Sequence, residues 1–300
     1  MLPVDLPERL AFPIVSLPTY FDRDGRQDLE SLRNTVDFCL DHELSTLLLT
    51  AGDSNYDLQT EPEIRAVART VIEHTAGRGT VVVGTSPYWW RDQTLAFAKY
   101  VEHLGASAVM VCRPLVARGD SPGFEDPTFE TYQAVAETVD CGIVLNGVFS
   151  MSLLRRLADL PSVVALKEDA GDAWCHDALY AVGRQLAVFG GGQKWRYLYG
   201  SLWGMVGYLT SYGPLAPEVT HRFWAAVQGR DHCTAAEIVD TYDNPFFEHA
   251  IGHAKGFFPV RQASFEVFGR GPRWLRSPQP SLDDAEMAAL RKLFAEVGLL

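Results

Sequence analysis

Short apolar runs alternate along the chain with segments of helical periodicity. Each run is four to six residues long and apolar nearly throughout, which is typical of a strand buried on both faces of a sheet. These runs predict eight strands, over residues 12–17, 45–50, 80–84, 108–113, 142–146, 163–167, 187–190 and 205–210.

Each predicted strand is followed by a segment in which apolar residues recur at intervals of three and four, the period of an amphipathic helix. The clearest helices are predicted over 29–40, 61–75, 92–104, 129–139 and 217–227. Eight βα units imply a parallel sheet, and their total length favours closure into an α/β fold of the (β/α)8 TIM barrel type over an open, doubly wound sheet.

The pattern changes in the last quarter of the chain. Residues 230–250, 253–268 and 282–297 look helical, with no strand between them, and the proline-rich segment 271–280 links the last two. We therefore predict a barrel over residues 1–228 and a C-terminal helical extension over residues 229–300.

Charge and composition exclude several classes of partner. The formal net charge of −12 and the isoelectric point near 5.1 argue against binding to nucleic acid or to an anionic membrane. Residues 1–13 lack the pattern of a secretion signal, and no apolar run approaches a membrane span, so a cytoplasmic protein is expected. The five cysteines are scattered and odd in number, which predicts neither a disulfide framework nor a zinc ribbon.

One lysine stands in an unusual position. Lys167 ends the predicted sixth strand and is followed by an acidic loop. Burial disfavours the ammonium form, so a neutral Lys167 would be able to attack a carbonyl carbon. The same position also suits a lysine that reaches water or pairs with Glu168, Asp169 or Asp172. The local sequence leaves both interpretations open.

Other residues that close predicted strands strengthen the first interpretation, because the active sites of such barrels lie at the carboxyl ends of the strands. These strand-closing residues are Thr50, Arg113, Asn146, Lys167, Gly190 and Thr210.

Six stretches, taken in order, resemble a known family. They are LPTYF with DG and D in 17–28, TAGD in 50–53, LQTE in 58–61, VVGT in 82–85, LKEDAGD in 166–172, and GYLT with APE in 207–218. The corresponding family patterns are TPF…DG…D, TTGE, L-T/S-x-E, AGxG, IKDSSGD and GVIS…APE. The chain thus resembles the superfamily of dihydrodipicolinate synthase and N-acetylneuraminate lyase, the class I aldolases that form Schiff bases.

The resemblance implies a site. Lys167 would form a Schiff base with a 2-oxo acid such as pyruvate, and the backbone N–H groups of Ala51 and Gly52 would receive the substrate carboxylate. Thr50 would keep the hydroxyl of the family's first threonine. The resemblance further implies a homotetramer or homodimer that uses no cofactor and no metal.

The chain also departs from the family pattern. The catalytic tyrosine of the family's YNVP segment is replaced by Leu145, and a leucine cannot carry a proton. The second tyrosine of the PYY segment is replaced within 114–116, and the arginine of dihydrodipicolinate synthase would lie near Phe149 or Ser150, neither of which is basic. Lysine-biosynthetic activity is therefore not expected.

Some other group must then move protons, and Tyr212, Tyr56 and Asp53 are the candidates. Each tyrosine also suits a half-buried aromatic whose hydroxyl bonds elsewhere. Arg113 and Lys194 would bind an anionic tail of the substrate, or else lie as solvated charges on the rim. The predicted site therefore comprises the catalytic residues Lys167, Thr50 and Tyr212 and the substrate-binding residues Ala51, Gly52, Asp53, Arg113, Asn146, Gly191 and Thr210.

Three functions are compatible with these observations. The first is a lyase, an aldolase or hydro-lyase, that acts on a 2-oxo acid through an imine on Lys167. The second is a barrel that has lost catalysis and serves as a ligand-binding or regulatory protein, which the absence of the tyrosine supports. The third is a barrel enzyme with phosphate or metal chemistry, for which the glycines at 190–192 and the pair His249 and His253 are weak signals.

Overall fold

Eight parallel strands close into a barrel in the computed structural model, which describes residues 5–115 and 122–300. The strands are β1 Pro13–Ser16, β2 Thr46–Leu49, β3 Thr80–Gly84, β4 Ala108–Cys112, β5 Gly142–Asn146, β6 Val163–Glu168, β7 Ala187–Gly190 and β8 Gly207–Thr210. Each strand pairs with the next, and β8 pairs with β1, so the sheet has no free edge. The predicted barrel is confirmed, and each predicted strand lies within two residues of its observed ends.

A helix follows each strand and packs on the outside of the barrel; in the described ranges, one further helix precedes β1 and four more follow the last barrel helix. The helices are α1 Leu6–Leu10, α2 Leu29–Asp41, α3 Glu61–Thr75, α4 Arg91–His103, α5 Glu125–Ala136, α6 Met151–Ala158, α7 Asp172–Val182, α8 Lys194–Ser201, α9 Pro217–Gln228, α10 His232–Ile238, α11 Asn244–Gly252, α12 Phe257–Val267 and α13 Asp284–Glu296. Across the described ranges, none of these helices is both long and apolar enough to cross a membrane.

The two faces of each strand serve different cores, because successive side chains of a strand point in opposite directions. One cluster fills the barrel with Ile14, Leu48, Val82, Ala108, Met110, Cys112, Val144, Ala165, Phe189 and Leu209. Leu6 and Leu10 of α1 join this cluster and close the end of the barrel where the strands begin. The opposite end of the barrel is thereby left as the place for a cavity.

The C-terminal helices differ from the prediction in one place. The segment predicted as a single helix over 230–250 is interrupted by a π-helical turn, Val239–Asp243, between α10 and α11. Such turns are uncommon and usually have a local cause. Here the turn carries Asp243, whose carboxylate accepts hydrogen bonds from the backbone N–H of Lys194 at 2.9 Å and from the Lys194 ammonium.

Arg276 ties the segment between α12 and α13 to the barrel. Its guanidinium forms a two-pronged ion pair with Glu63, at 2.8 and 2.6 Å, and donates to the carbonyl oxygens of Gly25 and Leu58. These hydrogen bonds from Arg276 are the largest cause that lowers the pKa of Glu63, from 4.5 to about 2. The Glu63 carboxylate therefore contributes stability above pH 4.5, and this contribution is lost as the pH falls from 4.5 towards 2.

We expect Glu63→Gln to lower the free energy of unfolding at pH 7 by roughly 1–3 kcal/mol, because the charge-assisted pair is lost. The difference from the wild type should shrink as the pH falls from 4.5 towards 2. Urea unfolding at pH 7 and pH 3 measures both effects. Glu73→Gln, an exposed change in the same helix, is the matched control and should have little effect. An equal loss at both pH values would contradict the assignment.

Candidate active site

Lys167 lies on β6 near the end of the barrel where the strands finish. Ala165, two residues earlier, belongs to the interior cluster, so Lys167 also points inward. Only 9% of its side chain is exposed, and the ammonium donates a hydrogen bond to Oδ2 of Asp169. Of the three pairing partners that the sequence left open, the structure selects Asp169.

Asp169 is held from three sides. Lys167 contacts Oδ2, and the amide of Asn146 on β5 donates to the same oxygen at 2.8 Å. Gly191 lies against Oδ1, since a Cβ atom on Gly191 would stand 1.7 Å from that oxygen. Desolvation acts to raise the pKa of the Asp169 carboxyl, but the charge and hydrogen bonds of its neighbours outweigh it, so the pKa is lowered.

We expect Gly191→Ala to lower turnover by about 10- to 100-fold, because the new methyl group must displace the Asp169 carboxylate. Steady-state kinetics of the variant measure this loss. Gly171→Ala is the matched control, because nothing lies within 4 Å of a Cβ atom at that position, in the loop that follows β6. Similar losses in both variants would show that the close approach to Asp169 is unimportant.

A cavity of about 420 Å³ opens above Lys167 at the mouth of the barrel. This volume is within the range of small-molecule sites. Its lining includes the predicted residues Thr50, Ala51, Gly52, Asp53, Asn146, Lys167, Gly191 and Thr210. The structure thus brings together eight of the ten predicted site residues, from the ends of five strands or the loops that follow them.

The loop after β2 offers donors to this cavity. The Thr50 hydroxyl accepts from the N–H of Asp53 at 3.0 Å, and the carbonyl groups of Ala51 and Gly52 accept from Tyr56 and Asn55. No hydrogen bond within the described residues uses the N–H groups of Ala51 or Gly52. Two backbone donors are therefore available for an anion.

Charged side chains of both signs line the cavity. Among the described lining residues, Lys167, Arg196 and Arg261 are cationic, and Asp53 and Asp169 are acidic. The three cationic side chains can bind carboxylate groups of a substrate.

Arg196 and Arg261 reach the cavity from outside the barrel strands. Arg196 on α8 pairs at 2.7 Å with Glu168, which is fully buried and whose pKa is raised chiefly by desolvation. Arg261 on α12 is 5% exposed and donates to the carbonyl oxygens of Ser16 and Asp53. These two arginines are therefore held in place before any substrate binds.

Two of the predicted site residues lie elsewhere and require correction. Tyr212 is almost fully buried and donates its hydroxyl proton to the carbonyl of Tyr242 at 2.7 Å, so it does not line the cavity. Burial also raises its pKa well above 10. Arg113 donates to the carbonyl of Val148 and packs over the ring of Phe149, and it is not among the lining residues either.

The structure also locates Lys194 and Tyr56, the two other candidates that the sequence suggested. Lys194 is neither a substrate anchor nor a rim charge, because it is buried in its ion pair with Asp243 and lies 4.4 Å from the centre of the Tyr212 ring. Tyr56 lines a separate, neighbouring cavity, and its buried hydroxyl has no hydrogen-bond partner among the described residues.

Nearly the whole chain, barrel and C-terminal helices together, matches a known protein family. A family model, the Dihydrodipicolinate synthetase family, matches residues 10–296. The chain belongs to this family. The resemblance that the six sequence motifs indicated is therefore confirmed.

The chain aligns over nearly its whole length with two named relatives. It is 25% identical over 305 residues to a "Probable 5-dehydro-4-deoxyglucarate dehydratase" of Bradyrhizobium sp. (strain ORS 278), covering 98% of this chain and 94% of the relative. A relative of the same name from Saccharopolyspora erythraea is 25% identical over 301 residues, covering 97% and 95%.

Among solved structures, YagE from E. coli K12, a family protein in complex with pyruvate, has a TM-score of 0.85 at 20% identity and covers 96% of this chain and 98% of its own. Dihydrodipicolinate synthase from Bacillus clausii has a TM-score of 0.85 at 20% identity, with 97% and 98% covered. These likenesses establish the fold.

The predicted site omitted six polar lining residues: Ser16, Asp169, Gln193, Arg196, Ser211 and Arg261. Ser16 follows Ile14 at a spacing of two on β1, and Asp169 follows Lys167 at the same spacing, so strand alternation was an available signal for both. Arg196 and Arg261 come from helices, and no local pattern distinguishes them from surface arginines.

Leu145, at the family's tyrosine position, packs in the layer between the barrel and the helices. It belongs to the outer cluster, whereas its neighbour Val144 belongs to the interior cluster. Its side chain therefore does not line the cavity, and the proton carrier must be sought among other residues.

Proposed function

We propose that this protein is a hydro-lyase that forms a Schiff base on Lys167 with a 2-oxo acid and eliminates water from it. The observation that carries the proposal is a primary amine, 9% exposed, at the floor of a 420 Å³ cavity in the mouth of the barrel. The free N–H groups of Ala51 and Gly52 at the same cavity would receive the carboxylate beside the ketone.

The proposed reaction begins with an imine between Lys167 and the ketone of the substrate. The Lys167 nitrogen bonds to the ketone carbon, and the ketone oxygen leaves as water with two of the three ammonium protons, so that the iminium keeps the third. The iminium then acidifies the neighbouring carbon. Loss of a proton there turns the C–H electron pair into a C=C bond and returns the iminium π pair to nitrogen, which produces an enamine.

Elimination completes the reaction. The enamine electron pair expels a hydroxyl group from the next carbon, and that group takes up a proton and leaves as water. The iminium is regenerated, now conjugated with a new C=C bond, and hydrolysis releases the product and Lys167. An aldolase would instead break a carbon–carbon bond at the same stage. The names of the two dehydratase relatives favour elimination.

The substrate class is a dicarboxylate. The compound named 5-dehydro-4-deoxyglucarate has a ketone beside one carboxylate, a CH₂ group beside that ketone, a hydroxyl on the next carbon, and a second carboxylate at the far end. This is the pattern that the elimination above requires. Arg196, which lines the cavity and is 18% exposed, would bind the far carboxylate.

Borohydride trapping tests the proposal. The protein is incubated with 2-oxoglutarate or 2-oxopentanoate, which share a five-carbon chain but differ in the second carboxylate, and its intact mass is measured after reduction. We expect one adduct with each acid. The concentration that gives half of the maximal adduct should be about tenfold lower for 2-oxoglutarate than for 2-oxopentanoate. The loss of water from 5-dehydro-4-deoxyglucarate is then measured by mass spectrometry.

Two results would decide against the proposal. No adduct with either acid would favour the non-catalytic, ligand-binding barrel. Equal half-saturating concentrations of the two acids would refute the preference for a dicarboxylate, while the adducts themselves would still support the imine chemistry. The homotetramer or homodimer expected from the family resemblance stays a prediction, which sedimentation of the protein would test.

A further inference from the structure

The Schiff-base reaction needs a group that moves protons, and the tyrosine hydroxyls of this chain are poorly placed for it. Those of Tyr132 and Tyr212 donate to backbone carbonyls at 3.0 and 2.7 Å, and that of Tyr20 bonds to Thr35. Tyr56 lines the neighbouring cavity. No tyrosine is among the described residues that line the cavity above Lys167.

Asp169 is placed where such a group is needed. It follows Lys167 by two residues, which brings both side chains to the same face, and its Oδ2 contacts the Lys167 nitrogen directly. In the IKDSSGD pattern that this stretch resembles, a serine stands at the position of Asp169. The chain therefore has a carboxylate beside its lysine and lacks the usual tyrosine.

The carboxylate is both oriented and accessible. Asn146 donates to Oδ2 at 2.8 Å, and the absence of a side chain on Gly191 leaves room for Oδ1. The Asp169 side chain is 46% exposed and lines the cavity, so it can meet a substrate atom bonded to Lys167. Glu168, the adjacent carboxylate, is fully buried and pairs with Arg196.

We propose that Asp169 is the proton carrier of this active site, in place of the missing tyrosine. This role rests on the proposed imine chemistry. The carboxylate takes a proton from the Lys167 ammonium and passes it to the ketone oxygen. After the nitrogen has bonded to the ketone carbon, the carboxylate moves a second proton from that nitrogen to the same oxygen, which leaves as water. It then takes the proton from the carbon beside the iminium and later delivers it to the departing hydroxyl group. The carboxylate is unchanged after each exchange.

Exchange of carbon-bound hydrogen tests this role separately from imine formation. The wild type, Asp169→Asn and Asp169→Ala are incubated with 2-oxoglutarate in D₂O, and loss of the C3 proton signal is followed by NMR. Borohydride trapping on the same samples reports the imine. We expect each variant to form the adduct, but more slowly than the wild type, and to exchange C3 hydrogen at least about 100-fold more slowly than the wild type once the adduct has formed. Added formate should restore part of the exchange in Asp169→Ala, because a small carboxylate fits the vacated space.

Asp172→Asn, an exposed change at the start of α7, is the matched control and should exchange at the wild-type rate. Exchange within threefold of the wild type in Asp169→Asn, with the adduct present, would show that Asp169 is only a counter-ion for Lys167. Slow exchange that formate fails to restore would point to a positioning role and overturn proton transfer. Absence of the adduct in the wild type would refute the imine itself, and this role with it.

Discussion

Lys167→Ala is expected to abolish the borohydride-stable adduct with 2-oxo acids and to lower turnover by at least about 10³-fold. The covalent route exists only if a primary amine stands at this point of the cavity, and no neighbouring side chain replaces it. The only other lysine buried to this extent in the described part of the chain, Lys194, is engaged with Asp243. Loss of the nucleophile therefore removes the reaction path.

Intact mass after reduction measures the adduct, and Lys292→Ala is the control. Lys292 is 77% exposed on α13, far along the chain from the barrel strands, so its replacement should leave the adduct and the rate unchanged. An adduct that persists in Lys167→Ala would locate the imine on another lysine. Peptide mapping of the reduced wild type would then identify it.

The same variant separates a catalytic from a structural lysine. If Lys167 serves catalysis, its removal leaves Asp169 bonded to Asn146 and 46% exposed, so no charge is left buried without a partner. We therefore expect the melting temperature of Lys167→Ala to equal or exceed that of the wild type. A large fall in melting temperature would instead mark the ion pair as structural.

Asp243→Ala is expected to lower the free energy of unfolding by about 3–5 kcal/mol. Asp243 and Lys194 form an ion pair in which the side chains are 2% and 1% exposed. Removing the carboxylate leaves the Lys194 ammonium buried against the rings of Tyr212 and Phe223, with no anion to balance it. It also removes the acceptor for the backbone N–H of Lys194 at the start of α8.

Denaturant unfolding at pH 7 measures the loss, with Asp240→Ala as the control. Asp240 is exposed, and its carboxylate accepts a local hydrogen bond from Asn244, so a loss of about 0.5 kcal/mol is expected there. The double variant Lys194→Met with Asp243→Leu should recover most of the stability, because apolar side chains of similar size can replace a buried pair. Equal effects of the two single alanine variants would show that the buried pair contributes little.

The errors in the predicted site have a common cause, which is that distant parts of the chain orient the side chains concerned. Tyr212 and Lys194 stand near strand ends, where the sequence suggests a place at the cavity, but both face the layer that Asp243 and Tyr242 build from residues at least 30 positions away. Arg261 reaches Asp53 across 208 residues. A local pattern carries no information about which distant element will turn a side chain towards or away from the cavity.

The strands, the barrel, the family and the role of Lys167 as candidate nucleophile could all be predicted from the sequence. These follow from periodicity and from motifs within a few residues of one another, which act through local backbone geometry. Three further facts became clear in the folded chain: Asp169 is the partner of Lys167, Lys194 belongs to the core, and Arg196 and Arg261 reach the cavity. The reason is physical: where a charged side chain can lie depends on which opposite charges and acceptors the folded chain brings within hydrogen-bond distance.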